Sequence, residues 1–181
     1  MELLTPVLRF ALRANDLALR TAQENGTPEP DPVPVVKFFS PVSAATWLAT
    51  ELGCAGDTLS GLADLGFGCP ELGSFSLAEI VAVRLPLGLA LSAARLRRPL
   101  RTGVERDIGF ATRFPLSVWA EAARRSGSIM AAAHVIDRLD AHLRAHPATR
   151  SPSTPSQGSP APNTDAAPDP DPLPPRSSED G

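Results

Sequence analysis

The chain has 181 residues, which is room for one ordinary domain, and 43% of them are hydrophobic. Only 5% are aromatic and none is tyrosine, so a core must rest on leucine, valine, isoleucine and alanine. The net charge is −3, but residues 151–181 hold five acidic side chains and one arginine. The rest of the chain is therefore close to neutral, and charge alone indicates neither a nucleic-acid nor a membrane partner.

The cysteine content and the N-terminus exclude several protein classes. Cys54 and Cys69 lack the spacing and the further ligands of a zinc site or a disulfide framework. The N-terminus lacks the regions of a secretory signal, and no apolar run reaches the about 18 residues of a membrane span. We therefore expect a cytoplasmic protein without membrane contact, bound metal or cofactor.

The first predicted element is a helix over residues 5–24, within an N-terminal segment 1–26. Thr5 can cap its free amides, Pro6 suits the first helical position, and Asn25-Gly26 can end it. Residues 27–34 follow as a proline-spaced, extended linker. Apolar side chains recur along the helix at helical spacing, at Val7, Phe10, Ala11, Ala14, Leu17 and Ala18.

Residues 35–129 are predicted to form an α+β core domain that begins with three strands. The run from Val35 is β-branched and aromatic, as is typical of a strand. Residues 45–52 and 58–65 are predicted to form a β-hairpin, because a short turn connects them.

A glycine-rich loop and a helix follow the hairpin. Glycine and proline at residues 66–70 end strand pairing, and residues 72–75 can add a short strand. Ser76 and Glu79 have the spacing of a capping box, which predicts a helix to about residue 84. Its inner side is predicted to hold Leu77, Ile80 and Val81.

The remaining pattern predicts one strand, two helices and a tail. Residues 103–110 alternate apolar and charged side chains, which indicates a strand. Residues 115–125 and 128–145 show helical spacing, and 130–146 is assigned as a separate C-terminal helix. Nine of the last 31 residues are proline, so we expect the segment 147–181 to be disordered.

Several short pieces between Val35 and Ile129 form a recognisable set: Lys37-Phe38-Phe39, Thr46-Trp47-Leu48, Gly61 to Gly66, Pro70-Glu71-Leu72-Gly73 with Ser76-Leu77, and Glu105-Arg106-Asp107. In this order the pieces resemble a bacterial family catalogued as domain of unknown function 2958. The resemblance implies a protein encoded on plasmids, integrated elements and phages, and it assigns no catalytic residues. An arginine-rich stretch at 90–102 stands where the family has a short passage, and we interpret it as an insertion.

Three carboxylates, Asp64, Glu71 and Asp107, are the candidate catalytic residues. If the strands that carry them are neighbours, the three side chains can converge on a divalent ion through oxygen ligands. The alternative interpretation is that they cap loops and form surface ion pairs.

Four arginines, Arg95, Arg97, Arg98 and Arg101, are the candidate nucleic-acid-binding residues. Their guanidinium groups can contact phosphates, and such binding would be sensitive to salt. No aromatic side chain is interleaved with them for base stacking. The alternative is an exposed insertion, or a partner for the acidic tail.

Other motifs indicate no specific chemistry. The glycines between residues 61 and 73 lack the pattern of a phosphate-binding loop, and no Ser-His-Asp or Cys-His set can be assembled. His142 and His146 lie four residues apart and can bind a metal weakly, but no HExxH pattern is present and Pro147 follows directly, so the sequence favours a solvated helix end.

The sequence thus predicts an α+β fold with a small, mainly antiparallel sheet. We expect the helices at 76–85 and 115–126 to pack on one face of it, and the N- and C-terminal helices to flank it. For function it favours a non-catalytic accessory protein of a mobile element that acts through a protein partner. The alternatives are a nucleic-acid-binding accessory protein that uses the arginine cluster, and a metal-dependent hydrolase or nuclease that uses the three carboxylates.

Overall fold

The structure, a computed structural model, describes residues 2–83, 85–86 and 101–146. Within these residues the helices are α1 (Pro6–Asn25), α2 (Leu77–Ala82), α3 (Leu116–Ser126) and α4 (Ile129–Ala145). The strands are β1 (Val36–Phe39), β2 (Thr46–Leu52), β3 (Thr58–Asp64), β4 (Glu71–Ser76), β5 (Leu85–Pro86), β6 (Arg101–Thr102) and β7 (Glu105–Arg106). None of these helices is long and apolar enough to cross a membrane.

Five of the strands form one antiparallel sheet in the order β4-β3-β2-β1-β7. The α+β class, the antiparallel sheet and the β2–β3 hairpin are therefore confirmed. The hairpin contains a bulge between Ala49 and Glu51, where the register shifts. Among the residues that the structure describes, β5 and β6 pair only with each other.

The helices cover both faces of the sheet. One core contains residues of α1 and α2 with Trp47 and Ala49 of β2, and the other contains residues of α3 and α4 with Leu48. Alternate residues of a strand point to opposite faces, and β2 is buried at every position. The prediction that the α2 and α3 segments share one face is therefore wrong, because the sheet needs an apolar cover on each side.

Helix α1 is capped as the sequence predicts. Thr5 Oγ1 accepts a hydrogen bond from the backbone amide of Leu8 at 3.4 Å, and Pro6 is the first helical residue. Gly26 ends the helix in the left-handed conformation, with a φ of 63°. Asn15 Nδ2 donates to the carbonyl of Thr50 at 2.8 Å, which ties the helix to β2.

The predicted strand over residues 103–110 is much shorter than expected. Of residues 103–110 only Glu105–Arg106 pairs with β1, and the chain turns directly after them. The reason lies in Asp107, whose Oδ1 accepts from the amide of Gly109 at 3.1 Å and whose carbonyl accepts from Phe110. A short aspartate side chain that bonds its own following backbone favours a turn over a strand.

The last two helices begin and end close to the predicted positions. Ser128 caps α4 by accepting from the amide of Ala131 at 3.0 Å, and Ile129, Ala132 and Ile136 are buried. Gly127 separates the two helices with a φ of 77°. The tail predicted to be disordered, residues 147–181, lies outside the described residues.

Candidate functional site

Asp64 is an internal anchor at the end of β3. The residue is only 1% exposed. Oδ2 accepts from the amide of Ile129 at 2.9 Å, and Oδ1 accepts from the amide of Gly66 at 2.8 Å. Since Ile129 is the first residue of α4, the carboxylate lies at the positive end of that helix. Both oxygens therefore bind backbone amides that join β3, its loop and α4.

Glu71 and Asp107 lie at opposite edges of the sheet. Glu71 is exposed in β4, next to β3, whereas Asp107 follows β7. Three strand spacings of about 4.8 Å separate β3 from β7, so Asp64 is roughly 14 Å from Asp107. Oxygen ligands of one ion lie within about 2.6 Å of it. Glu71 lies opposite Ala63 in the register of β3 and β4, so its side chain and that of Asp64 point to opposite faces of the sheet. The structure thus does not bring the three carboxylates together, and the described residues contain no group of three or more side chains that could hold a metal.

Asp107 pairs with a cation on the neighbouring strand. Lys37 Nζ lies 3.0 Å from Asp107 Oδ2, and both side chains are partly buried. The pair borders a cleft of about 470 Å³ between the 109–114 loop, α3 and α4. Phe110 and Trp119 form its aromatic wall, with ring centroids 5.9 Å apart.

The other charged groups of this cleft neutralise one another. Arg113 Nε lies 2.5 Å from Asp140 Oδ1, and Arg144 Nη2 lies 2.5 Å from Asp140 Oδ2. The carboxylate of Asp140 therefore forms ion pairs with two arginines. With Lys37, Asp107 and one further carboxylate, Asp137, the lining carries three positive and three negative side chains. This balance leaves no excess charge to attract a charged ligand, and the cleft contains no nucleophile with an adjacent base among the residues that the structure describes.

The remaining sequence candidates are only partly described. Arg95, Arg97 and Arg98 lie outside the described residues, and of Arg101 only the backbone is described, paired with Pro86. His142 and His146 stack on the exposed end of α4 with ring centroids 4.6 Å apart. Cys54 and Cys69 are both exposed and are not joined in a disulfide.

Two buried or capping carboxylates near the β2–β3 turn were not singled out by their sequence pattern. Burial raises the pKa of Glu51, a hydrogen bond from the Thr50 hydroxyl at 2.7 Å lowers it, and the charge of Asp16 raises it further. The hydroxyl of Ser76 and the amide of Ala78 lower the pKa of Asp57 by donating to it, each at 2.7 Å. Asp57 thus helps Ser76 to cap α2.

Helix α1 carries two apolar rows, and only one of them packs against the sheet. Its inner side includes Leu12, which is fully buried, and Ala22. On the other side Val7, Phe10 and Leu17 are 76%, 77% and 65% exposed. We call the positions Val7, Phe10, Ala14 and Leu17 the outer row. The sequence predicts this row by its spacing but does not reveal that it faces away from the core.

The sequence model of one protein family matches the chain over two overlapping segments, residues 3–94 and 90–130. The match therefore includes α1, which lies outside the pieces between Val35 and Ile129 that carry the resemblance, and its two segments meet inside the arginine-rich stretch. No curated protein and no solved structure matches the chain. Because the matched residues 3–130 cover more than half of its length, the chain belongs to the family described as Protein of unknown function (DUF2958).

Proposed function

We propose that this protein is a non-catalytic interaction module that acts in the cytoplasm as an accessory factor of a bacterial mobile element. It binds an α-helix of a partner protein against the outer row of α1. The observation that supports this proposal is the exposure of three large apolar side chains, Val7, Phe10 and Leu17, along one face of a single helix. Scattered exposed apolar residues are normal on a protein surface, but a contiguous row is typical of a contact surface.

The spacing of the outer row favours a helix as its occupant. The steps from Val7 to Phe10, Ala14 and Leu17 are three, four and three residues, which is the spacing of a coiled-coil seam. Ala14, the small residue within the row, lets a second helix approach closely. Burying each of the large side chains would contribute about 1.5–3 kcal/mol, which is enough to make the row dominate a small interface.

The roles of the carboxylates support a non-catalytic activity. Asp64 binds two backbone amides, Asp107 pairs with Lys37, and Asp57 caps α2. Each of these groups has a structural task in the described part of the chain. These contacts support a protein that binds a partner rather than one that catalyses a reaction.

Site-specific photo-crosslinking in the bacterium that naturally encodes the protein tests the proposal. A photo-reactive amino acid replaces Ala14 in the full chain, and in a control chain it replaces Glu24, which is exposed near the end of the same helix. We expect an adduct from position 14, but not from position 24, whose crosslinked peptide lies in a helix of one identified protein. The outer-row variant Phe10→Ser with Leu17→Ser should lower the yield of this adduct about tenfold.

The variant is expected to fold, because both side chains are exposed. Equal adducts from the two positions, or an adduct that the outer-row variant leaves unchanged, would contradict the proposal. An adduct to a second copy of the chain would also contradict it, because the outer row would then serve self-assembly.

A further inference from the structure

The two edges of the sheet differ in how far they are protected against a further strand. At one edge β7 is only two residues long. The amide of Asp107 then donates to the carbonyl of Lys37, and the side chains of these residues form an ion pair at 3.0 Å. Short strands and charged side chains are the usual means by which proteins blunt a sheet edge. The β7 edge has both.

At the other edge β4 has neither protection. It runs for six residues in unbroken register with β3, and Glu71 is its only charged residue. It contains no lysine, no proline and no bulge. In an edge strand every second residue directs its N–H and C=O groups outward. Among the residues that the structure describes, none forms a hydrogen bond to the outer side of β4.

Over its first four residues β4 is open on both faces as well as at its edge. Leu72 is exposed on one face, and a Cβ atom added to Gly73 on the other face would meet nothing within 4 Å. The preceding loop holds two more exposed apolar side chains, Leu65 and Phe67. An added strand would therefore find backbone partners along β4 and apolar contacts beside it.

The charge around this edge indicates which strand it would accept. From Asp57 to Val83 the sequence contains four carboxylates and no lysine or arginine. Asp64 is buried under α4, but Glu71 and Glu79 are exposed. A second copy pairing β4 with β4 would bring these like charges together, which is unfavourable. A basic segment would instead find opposite charges.

We propose that β4 is the docking edge for a basic, extended segment of a protein partner, which adds to the sheet as an antiparallel or parallel sixth strand. Main-chain hydrogen bonds to the outward groups of β4 provide the affinity. The exposed carboxylates of Glu71 and Glu79 select lysine or arginine in the added strand, and Leu72 and Phe67 contact its apolar side chains. This surface is independent of the outer row of α1, so either one can fail in experiment without the other.

Binding of a peptide probe to the full chain tests the proposal. The probe is a fluorescein-labelled peptide in which lysine and valine alternate over about eight residues, measured by fluorescence anisotropy. A second probe has the same sequence with N-methyl groups on every backbone amide, so that it keeps the charge but cannot donate hydrogen bonds from either edge in either strand direction. We expect saturable binding of the first probe and binding of the second that is weaker by about tenfold or more.

Two protein variants locate the binding. Leu72→Lys with Ser74→Lys adds two positive charges to one face of β4, and we expect it to weaken binding by about tenfold. Phe10→Lys with Leu17→Lys adds the same two charges to α1 and should leave binding nearly unchanged. All four positions are exposed, so thermal melts should show that both variants fold.

Several results would overturn the proposal. They are the absence of saturable binding, equal binding of the N-methylated probe, and equal loss in the two lysine variants. Self-association of the chain that disappears in the β4 variant would assign the edge to a second copy and overturn it too. None of these results bears on crosslinking from Ala14, so they leave the function proposed for α1 untouched.

Discussion

Strands β3 and β4 are neighbours that carry similar residues in very different environments. In their register Gly61 lies opposite Gly73, and Leu62 lies opposite Leu72. Leu62 is 1% exposed whereas Leu72 is 56% exposed. Residues of the same type on adjacent strands therefore differ strongly in burial. The cause is that β3 is an inner strand of the sheet, whereas β4 is an edge strand.

The difference arises from position in the sheet rather than from local sequence. β3 lies between β2 and β4, and the cores under α1 and α3 cover its two faces. In the described part of the chain β4 has one neighbouring strand, β3, and it is exposed over its first four residues. An inner strand is thus required for folding, while an edge strand of this kind is available for binding. Paired substitutions in β3 and β4 can test this division.

The largest difference is expected for alanine at the two glycines. A Cβ atom at Gly61 would lie 1.9 Å from the carbonyl oxygen of Leu48, so the β2–β3 ladder would have to separate. We expect Gly61→Ala to lower the free energy of unfolding by more than about 4 kcal/mol or to prevent folding. A Cβ atom at Gly73 would have no atom within 4 Å, so Gly73→Ala should change the free energy of unfolding by at most about 0.5–1 kcal/mol. The change can be a stabilisation, because alanine restricts the conformations of the unfolded chain more than glycine does. Urea unfolding followed by circular dichroism measures both.

Comparable losses from Gly61→Ala and Gly73→Ala would contradict this prediction. They would mean that β4 is packed in solution as tightly as β3, and the edge would then not be open for a partner.

A smaller difference is expected for the facing leucines. Leu62 packs in the core with Trp119 and Ile129, so Leu62→Ala should cost about 2–5 kcal/mol by leaving a cavity. Leu72→Ala removes an exposed side chain and should cost less than about 0.5 kcal/mol. The same urea titration provides the measurement. A cost above about 1.5 kcal/mol for Leu72→Ala would show that another element covers β4.

The elements that depend on local chemistry could be predicted from the sequence. Thr5 and Gly26 delimit α1, Ser128 caps α4, and the strand predicted over residues 58–65 matches β3 within one residue. Each of these signals depends on groups only a few positions apart. For the same reason the sequence predicts the cap of α2 at Ser76, whose hydroxyl accepts from the amide of Glu79.

Features that depend on distant contacts could not be predicted. The spacing of Val7, Phe10 and Leu17 shows an apolar row, but α1 has a second row at Leu12, and the sequence does not say which one meets the sheet. The strand order places Asp107 away from Asp64, and no local pattern contains that order. The exposure of β4 follows from the strand order as well, because β4 lies at the edge of the sheet.

The smallest effect is expected in the pH dependence of the free energy of unfolding. Here Glu51, in an inner strand, is compared with Asp57, in a turn. Burial raises the pKa of Glu51 above its ordinary value, so between that value and the raised pKa the folded state binds more protons than the unfolded state. The free energy of unfolding therefore falls as pH rises through this window. Glu51→Gln should remove this decrease and leave the mutant relatively more stable at neutral pH.

Asp57, at the end of the β2–β3 turn, should show the opposite sign. Hydrogen bonds from Ser76 and Ala78 lower its pKa, so its contribution to stability is present above its ordinary pKa and is lost as pH falls through the lowered value. Asp57→Asn should therefore flatten the acid limb of the stability curve, whereas Glu51→Gln flattens the limb above it. Urea titrations of both variants at a series of pH values separate the two. If both variants changed the same limb, Glu51 would be as well solvated as Asp57, and the difference between the inner strand and the turn would not extend to their charges.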